Sequence, residues 1–219
     1  MITQSSEGRF ELRDLCTEVG DFHLGPISLT LQRADYMVLM GASGCGKTTL
    51  LKSIAGLLLP VSGEILLDGV RIHSRSSQRP RIGYVPQHSL LFPHLSVAEN
   101  VRFGLRYMGI SAIQQSQRFL DVTSLLDITA LLDRNPTTLS GGESRRVALA
   151  RAMAINPAIL LLDEPLSMLD PEAREKILFT LSRIPLETGV TIIHVTHILD
   201  EARLLNCPTV IMERGRIIA

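Results

Sequence analysis

Tryptophan is absent from the chain, and aromatic residues make up only 4% of its 219 residues. Neither sign of charge is in excess, because 22 basic residues balance 22 acidic ones. A chain with this balance lacks the field that attracts nucleic acid or an anionic membrane surface, so we expect no nucleic-acid partner. Cysteine is also scarce, and Cys16, Cys45 and Cys207 are too scattered for a disulfide framework or a zinc site. We therefore expect three free thiols in a reducing cytoplasm.

Long apolar runs are missing as well. No stretch of about 18 consecutive apolar residues occurs, so the sequence predicts no membrane span. The first ten residues, MITQSSEGRF, contain no apolar segment of the kind that a secretory signal needs. Apolar residues make up 45% of the composition, which predicts a packed core, and the length of 1–219 is sufficient for one sizeable domain or for a core with a subdomain.

Glycine is concentrated where the sequence reads GASGCGKTT, between the apolar run YMVLM and a segment with leucines at helical spacing. This order predicts a strand, a loop and a helix, and the loop matches the phosphate-binding pattern G-x-x-x-x-G-K-[ST]. The glycines let successive backbone N–H groups point at phosphate oxygens, and the helix N-terminus adds its partial positive charge. The predicted phosphate-binding residues are Gly41, Ala42, Ser43, Gly44, Cys45, Gly46, Lys47, Thr48 and Thr49.

Two side chains of this loop have specific predicted roles. Lys47 is expected to reach the β- and γ-phosphates, and the hydroxyl of Thr48 is expected to ligate Mg²⁺. The alternative is a glycine-rich turn that binds nothing. Kinases, GTPases and molecular motors share the pattern, so it predicts a nucleotide site without selecting among these classes.

Acidic residues follow a second predicted strand, in AILLLDEP at 158–165. An uninterrupted apolar run is typical of a central parallel strand, and ligands bind at the carboxyl ends of such strands. There Asp163 is expected to hold Mg²⁺, and Glu164 to polarise the water that attacks the γ-phosphate. The alternative is a solvated strand end. A third strand, in TGVTIIHVTH, ends at His197, which is expected to contact the γ-phosphate, whereas His194 is expected in the core.

The segment LSGGESRRVALAR, at 139–151, predicts a second helix N-terminus able to bind an anion. Ser140 and Glu143 have the spacing of a capping box, which is a sufficient structural explanation for both. Gly141 and Gly142 are not needed for a capping box, and each costs about 1 kcal/mol relative to alanine in a helix. They expose backbone N–H groups at a positive helix end, so Ser140, Gly141 and Gly142 are predicted to bind phosphate.

Taken in order, the motifs resemble those of the ATP-binding cassette (ABC) ATPases over essentially the whole chain. GASGCGKTT resembles their Walker A motif, IGYVPQ their Q-loop and LSGGE their signature. ILLLDEP resembles their Walker B strand with the glutamate that follows it, SMLD their D-loop, and His197 their switch histidine. The resemblance implies ATP and Mg²⁺ as cofactors. It also implies that Glu164 and His197 are catalytic, and that Gln87 contacts nucleotide and metal.

The fold implied by the resemblance is α/β: a RecA-like P-loop NTPase core with an antiparallel β-subdomain and an inserted helical subdomain. The core and β-subdomain are expected at 1–87 and 157–219, and the helical subdomain at 88–156. Two cassettes of this family pack head to tail, with ATP between Walker A of one and the signature of the other. The resemblance therefore implies a homodimer, which explains why one chain carries two predicted phosphate sites.

Two positions depart from the family pattern. Glu143 stands where the signature most often has glutamine, and we expect activity to be retained despite the added negative charge. The family's adenine-stacking aromatic is not evident, because Val19, just before Gly20, has no π face. Phe22 is the nearest alternative, so adenine stacking is assigned to Phe22.

Residues 87–106 look like the cassettes of bacterial and archaeal importers for molybdate, tungstate, sulfate, iron, polyamines and sugars, with a lean toward molybdate and tungstate. This implies an ATPase in the cytoplasm, peripheral on the inner face of the cell membrane. It would drive uptake through transmembrane permease subunits, with a substrate-binding protein as an indirect partner. Residues near Leu91 and Leu105 are expected to face the permease. The last residues predict a hairpin of the core, and we expect no C-terminal regulatory domain of the kind that many such cassettes carry.

Two other classes stay open on the sequence alone. An ABC exporter uses the same motor, so the motifs do not exclude it. A non-transport cassette, as in DNA repair or translation, is less consistent with the chain. The segment between Gln87 and the signature is too short for the coiled-coil insertion of repair members, and the chain carries one cassette rather than two.

Overall fold

The structure is a computed structural model and describes residues 10–72, 82–167 and 169–218. The strands are β1 Phe10–Val19, β2 Phe22–Leu31, β3 Tyr36–Met40, β4 Ser62–Leu67, β5 Val70–Arg71, β6 Ile82–Val85, β7 Ile159–Asp163, β8 Thr191–Val195, β9 Thr209–Glu213 and β10 Arg216–Ile217. The α-helices are α1 Lys47–Ile54, α2 Val97–Arg102, α3 Ala112–Leu125, α4 Gly141–Ala154, α5 Pro171–Thr188 and α6 Leu199–Leu205. Short 3-10 helices lie at Gly104–Tyr107, Thr129–Leu131 and Pro136–Thr138.

The larger of two sheets organises the fold. Its strands lie in the order β10-β9-β3-β8-β7-β6. All neighbours pair in parallel except β10, which forms the predicted C-terminal hairpin with β9. Strands β7 and β8 are buried along their whole length, as expected of central strands covered on both faces. The smaller sheet, in the order β2-β1-β4-β5, is antiparallel throughout.

Strand β7 separates two hydrophobic cores. Leu160 and Leu162 pack with residues of α3, α4 and α5, whereas Ile159 and Leu161 pack with residues of α1 and the antiparallel sheet. Successive side chains of a strand point to opposite faces, so one apolar run supplies both cores. The result is three layers, with the parallel sheet between the helices on one face and α1 with the antiparallel sheet on the other.

The helices between β6 and β7 are started by serines. Each of α2, α3 and α4 has a serine N-cap that accepts a hydrogen bond from the backbone three residues on. In each case the side chain at that third position accepts a hydrogen bond from the serine N–H, which completes a capping box. The pairs are Ser96 with Glu99, Ser111 with Gln114, and Ser140 with Glu143. The predicted boundaries of a helical subdomain, 88 and 156, fall outside these helices and stay a prediction.

The parallel sheet determines where the site lies. Strands β3, β8, β7 and β6 are adjacent and parallel, so their carboxyl ends meet at one edge. In that spatial order, the segments that follow them carry residues 41–46, His197, Glu164 and Gln87. Such an edge is where open α/β sheets bind their ligands.

Within residues 10–72, 82–167 and 169–218, no helix has both the length and the apolarity to cross a bilayer. Cys16, Cys45 and Cys207 are all free thiols, as predicted.

Candidate functional site

A cleft of about 520 Å³ opens at this edge of the parallel sheet. It brings together most of the predicted nucleotide-binding residues, from segments far apart in sequence. The lining residues are Val19, Phe22, Ser43, Gly44, Gly46, Lys47, Thr48, Thr49, Gln87, Glu164 and His197. Both residues considered for adenine, Phe22 and Val19, lie in this cleft.

Helix α1 begins without a side-chain cap. Its N-cap is Gly46, whose φ of 110° is a left-handed conformation that only glycine adopts without strain. A Cβ at this position would lie 2.8 Å from the ring of Phe22, so glycine also permits the close approach of that ring. The first N–H groups of the helix remain available to an anion.

The ammonium of Lys47 lies inside the phosphate-binding loop. Its Nζ donates to the carbonyl oxygens of Gly41, at 2.7 Å, and Ala42, at 2.9 Å. The thiol of Cys45 is buried in the core beneath the loop, with Sγ 3.8 Å from the same Nζ. Gly41, Ala42 and Cys45 therefore shape the loop but do not line the cleft. Phosphate oxygens could replace the two carbonyl acceptors.

Thr48 and Asp163 form a pair of oxygen ligands. Thr48 Oγ1 donates to Asp163 Oδ1 at 3.1 Å, and the hydroxyl of Tyr84 donates to Asp163 Oδ2 at 3.2 Å. Burial raises the pKa of Asp163 above its ordinary value, while the hydrogen bonds from Thr48 and Tyr84 oppose that shift. Burial and the adjacent Asp163 raise the pKa of Tyr84 strongly, so its hydroxyl stays protonated and donates. The contact between Tyr84 and Asp163 was not predicted, because a tyrosine within a predicted strand indicates only a core position.

These oxygens fit Mg²⁺ better than a metal that needs a protein cage. Magnesium is usually held by one or two protein carboxylates, with water and substrate phosphates as its other ligands. In the parts of the chain that the structure describes, no cluster of three or more histidine, cysteine, aspartate or glutamate ligands occurs. A metal bound beside Thr48 and Asp163 therefore needs further oxygens from a bound phosphate or water.

Glu164 is held between two polar side chains. Gln87 Nε2 donates to Glu164 Oε2 at 3.3 Å, and His197 Nδ1 lies 3.3 Å from the same oxygen. The backbone of Glu164 has φ 45°, a strained conformation for a residue with a Cβ. Its N–H donates to Val195 O at 3.0 Å, which pins the strained residue to the end of β8. Glu164 therefore lines the cleft, whereas the preceding residue, Asp163, does not.

Arg145 of α4 supports the segment that carries Gln87. Its Nη1 donates to Pro86 O at 2.8 Å, and its Nη2 donates to Gln87 O. Burial lowers the pKa of Arg145 to about 10, so the guanidinium is still charged at neutral pH. This contact was not predicted from the sequence, because the residue spacing in the signature segment does not indicate a hydrogen-bond partner 58 residues earlier.

The predicted second phosphate site lies elsewhere on the chain. Ser140 and Gly142 line a separate groove together with Asp170, Lys176 and six other residues, and no residue lines both this groove and the cleft. Gly141 is the first residue of α4. The single chain therefore does not bring its own signature segment to its own phosphate-binding loop.

The capping box at α4 is present as expected. Ser140 N donates to Glu143 Oε2 at 2.7 Å, and Glu143 N donates to Ser140 Oγ at 3.2 Å. Arg134 Nη1 donates to the other oxygen, Glu143 Oε1, at 3.1 Å. The hydrogen bond from Ser140 lowers the pKa of Glu143 despite the opposing effect of burial. Glu143 is therefore charged, and its charge is partly neutralised within the chain.

The permease-facing surface expected near Leu91 and Leu105 stays a prediction, and the structure shows which side chains there point outward. Leu105 is only 1% exposed, because it packs into the helical core, and Leu91 is partly buried against the same core. Their neighbours Leu90, 66% exposed, and Tyr107, 79% exposed, point outward instead. His194 is fully buried, as predicted.

Comparison with known families decides what this arrangement belongs to. The pattern of the ABC transporter family matches residues 24–167, which is more than half of the chain. The chain belongs to the ABC transporter family. The resemblance drawn from the motifs is thereby confirmed.

Several relatives are import proteins. The molybdate/tungstate import ATP-binding protein WtpC of Archaeoglobus fulgidus is 43% identical over 200 residues, covering 91% of this chain and 82% of that protein. WtpC of Thermococcus kodakarensis is 38% identical and covers 90% and 60%. The spermidine/putrescine import ATP-binding protein PotA of Bacillus cereus is 40% identical and covers 88% and 59%. The chain thus spans about three fifths of the length of the latter two relatives.

Solved structures of ABC cassettes share the fold. The cbiO1 protein of Clostridium perfringens, part of the ABC transporter complex cbiONQ, superposes with a TM-score of 0.86 at 33% identity, covering 96% of this chain and 86% of that one. A dimeric post-hydrolysis state of the cassette MJ0796, bound to ADP and Pi, gives 0.81 at 30% identity and covers 96% and 97%. The predicted α/β P-loop fold class is confirmed.

Proposed function

We propose that this chain is the ATP-hydrolysing motor subunit of an importer for a small solute, and that the solute is an oxyanion of the molybdate and tungstate class. One observation carries the proposal. A single cleft joins a phosphate-binding loop, a Thr48–Asp163 oxygen pair and a Glu164–His197 pair. Relatives named as molybdate/tungstate import proteins support the direction of transport and the oxyanion class.

The phosphate-binding loop binds the nucleotide. The uncapped N–H groups of α1 are directed at anionic oxygens, and Lys47 exchanges its two carbonyl acceptors for phosphate oxygens. Phe22 is the proposed adenine platform, and the apolar side chain of Val19 also lines the cleft. Thr48, Asp163 and Gln87 are the proposed ligands of Mg²⁺, which supplies charge neutralisation for the phosphates when it is bound.

Glu164 and His197 carry the proposed chemistry. The Glu164 carboxylate accepts a hydrogen bond from the attacking water. This hydrogen bond directs a lone pair of the water oxygen toward the phosphorus atom. His197, beside the same carboxylate oxygen, positions the γ-phosphate. Gln87 connects the pair to the segment before α2, so a movement of that segment alters the position of Glu164.

A second copy of the chain completes the site. Ser140, Gly141 and Gly142 lie at a proposed anion-binding helix end, and the groove that Ser140 and Gly142 line shares no residue with the cleft. We therefore propose a head-to-tail homodimer in which this helix end contacts the nucleotide of the partner chain. The dimeric MJ0796 cassette, with ADP and Pi bound, supports this arrangement.

The helical subdomain, proposed at 88–156, is the part that docks on the permease. Aromatic side chains form a ladder beside the Q-loop, with ring centroids of Phe92 and Phe103 4.7 Å apart and those of Phe103 and Tyr107 5.8 Å apart. Tyr107 and Leu90 are the exposed apolar ends of this surface. Docking there places the chain on the cytoplasmic face of the cell membrane, with a substrate-binding protein on the other side.

The proposal is tested by ATPase activity in the assembled transporter. The chain is purified with its co-encoded permease and binding protein in lipid, and activity is measured with the binding protein loaded with molybdate, tungstate, sulfate or spermidine. We expect stimulation by molybdate or tungstate. Stimulation by spermidine alone would replace the oxyanion assignment, and an assembled complex without ATPase activity would overturn the motor function.

A further inference from the structure

The backbone that carries Gln87 is held by side chains rather than by secondary structure. Residues 86–90 follow β6 and lie in neither a helix nor a strand. Carbonyl groups in such a segment need hydrogen-bond partners from elsewhere in the chain where water does not reach them. Two arginines of α4 donate to four of these five carbonyl groups. The pairs are Arg145 with Pro86 and Gln87, and Arg151 with Ser89 and Leu90.

Arg145 holds the end of the segment nearest the cleft. Its Nη1 donates to Pro86 O at 2.8 Å, its Nη2 donates to Gln87 O, and the residue is only 4% exposed. A guanidinium at this depth is costly unless its donors are satisfied. Because its planar fork carries the two donors at a fixed separation, the two carbonyl groups that accept from it cannot rotate independently. Arg145 thereby fixes the two peptide groups that flank Gln87.

Arg151, six residues further along α4, holds the other end of the segment. Its Nη1 donates to Leu90 O at 3.0 Å, and its Nη2 donates to Ser89 O at 3.3 Å. Leu90 has φ 43°, a strained conformation for a residue with a Cβ, and its side chain is exposed. The Arg151 guanidinium also lies over the ring of Phe92, 5.0 Å from its centroid. Arg151 therefore stabilises the strained backbone that directs Leu90 outward.

The segment connects the cleft with the proposed permease surface. Gln87 lines the cleft and donates to Glu164 Oε2 at 3.3 Å, whereas Leu90 lies at that surface. Arg145 and Arg151 are not among the residues that line the cleft. Both ends of the segment are bonded to the same helix, so Gln87 and Leu90 keep their relative position when α4 moves.

We propose that Arg145 and Arg151 are positioning residues that fix segment 86–90 to α4, so that Gln87 keeps its contact with Glu164. The inference rests on the proposed ATPase function. Arg145 has the larger effect on hydrolysis, because it holds the peptide groups on both sides of Gln87. Nucleotide affinity is little affected, since the phosphate-binding loop follows β3 and has no contact with either guanidinium among the hydrogen bonds described above.

The first test is Arg145→Gln in the assembled transporter. Because a small displacement of a reacting group is costly, we expect kcat to fall roughly tenfold to a hundredfold, with KM for Mg-ATP unchanged. The matched control is Arg183→Gln on α5. The Arg183 side chain is exposed and pairs with Glu187, so this variant removes an equal charge without touching the segment, and its kcat should equal that of the wild type.

A double-mutant cycle with Gln87→Ala separates positioning from a general effect on folding. If Arg145 acts through Gln87, Arg145→Gln should cost little further kcat once the Gln87 side chain is absent. A purely structural role predicts that the two losses multiply. Arg145→Lys is the milder variant where Arg145→Gln does not fold. It keeps the charge and loses the fork, and its kcat should fall by at least about threefold.

A fluorescent probe reports on the segment without turnover. The chain contains no tryptophan, so His88→Trp supplies a single fluorophore between the two pairs of hydrogen bonds. His88 is exposed and is not among the residues that line the cleft. The fluorescence anisotropy of this protein without nucleotide should fall when Arg145→Gln or Arg151→Gln is added. It should stay unchanged when Arg183→Gln is added.

The outcomes distinguish the inference from the proposed function. Unchanged kcat in Arg145→Gln, losses that multiply in the cycle with Gln87→Ala, or unchanged anisotropy in both arginine variants would overturn the inference and leave the ATPase function in place. A larger loss of kcat in Arg151→Gln than in Arg145→Gln would also contradict it. A wild-type complex that hydrolyses no ATP would overturn the proposed function instead, and the anisotropy would still decide whether the arginines hold the segment.

Discussion

Two helix N-termini in this chain are predicted to bind phosphate, and they are built differently. Helix α1 begins at Gly46 with no side-chain cap, whereas α4 begins at Ser140 with a complete capping box. At α1 the terminal N–H groups are unoccupied and a buried lysine adds a full positive charge. At α4 a carboxylate already occupies the first turn. A helix end that is internally satisfied offers only part of an anion site.

This difference indicates that the N-termini of α1 and α4 have different roles in binding phosphate. The α1 site can bind nucleotide in a single chain, because it supplies charge, N–H groups and the adjacent Thr48–Asp163 pair. In the proposed dimer, the α4 site, with Ser140 and two glycines, contributes only when the phosphates are already held by another chain. Variants at the two helix ends should separate these two roles.

The largest effect separates chemistry from binding beside α1. Glu164→Gln removes the carboxylate that we propose orients the attacking water, and loss of such a group costs roughly a hundredfold to ten-thousandfold in kcat. Binding of a fluorescent ATP analogue should persist, because the phosphate-binding loop is untouched. Phosphate release measured under single-turnover conditions gives the rate. A variant that retains wild-type turnover would remove Glu164 from the proposed chemistry.

The next effect concerns binding at α1. Lys47→Ala removes a proposed charged donor to phosphate, and we expect the affinity for ATP to fall about tenfold to a hundredfold. Titration calorimetry on the isolated chain at low concentration measures this without dimerisation. If affinity is unchanged there, the positive charge at α1 is not what distinguishes the two helix ends.

The corresponding change at α4 should not affect binding by a single chain. Ser140→Ala removes the cap, so stability should fall by about 1 kcal/mol and the melting temperature by about 2–4 °C. ATP affinity of the isolated chain should equal that of the wild type in the same calorimetric titration. A clear loss of affinity would mean that one chain uses both helix ends at once.

The smallest effect concerns the charge of Glu143. Glu143→Gln keeps the capping geometry and removes a charge that Arg134 partly neutralises, so stability should change by less than about 1 kcal/mol. Because the remaining charge near a partner's phosphates is then more positive, ATP-dependent association should strengthen by a few-fold at low salt. Sedimentation at two salt concentrations tests this, and weaker association would show that the carboxylate itself is required.

The sequence predicted those strands and site residues whose pattern lies within one continuous segment. Apolar runs bounded by glycine or acidic residues predicted β3, β7 and β8, and the motifs at their ends predicted most residues of the cleft. The pairing of distant segments could not be read in this way. Tyr84 reaches Asp163, and Arg145 reaches Gln87, only because the fold brings distant segments together.

The side chains of the expected permease surface could not be predicted for a related reason. The surface was placed near Leu91 and Leu105 from a family segment, without a periodicity that determines which side chains point outward. In the structure Leu105 belongs to a short 3-10 helix, and that turn directs Leu105 inward and leaves Tyr107 exposed. Short helical turns give too few positions for a hydrophobic period to be read.

The central claim is that one nucleotide is held by α1 of one chain and α4 of another. It is tested most directly by light scattering of Glu164→Gln after size exclusion, with and without saturating Mg-ATP. We predict a mass of two chains with Mg-ATP and of one chain without it. Adding Ser140→Asp, which retains a helix cap but places a negative charge at the phosphate, should return the protein to one chain. A Glu164→Gln protein that stays monomeric, or a double variant that still dimerises with ATP, would contradict the account.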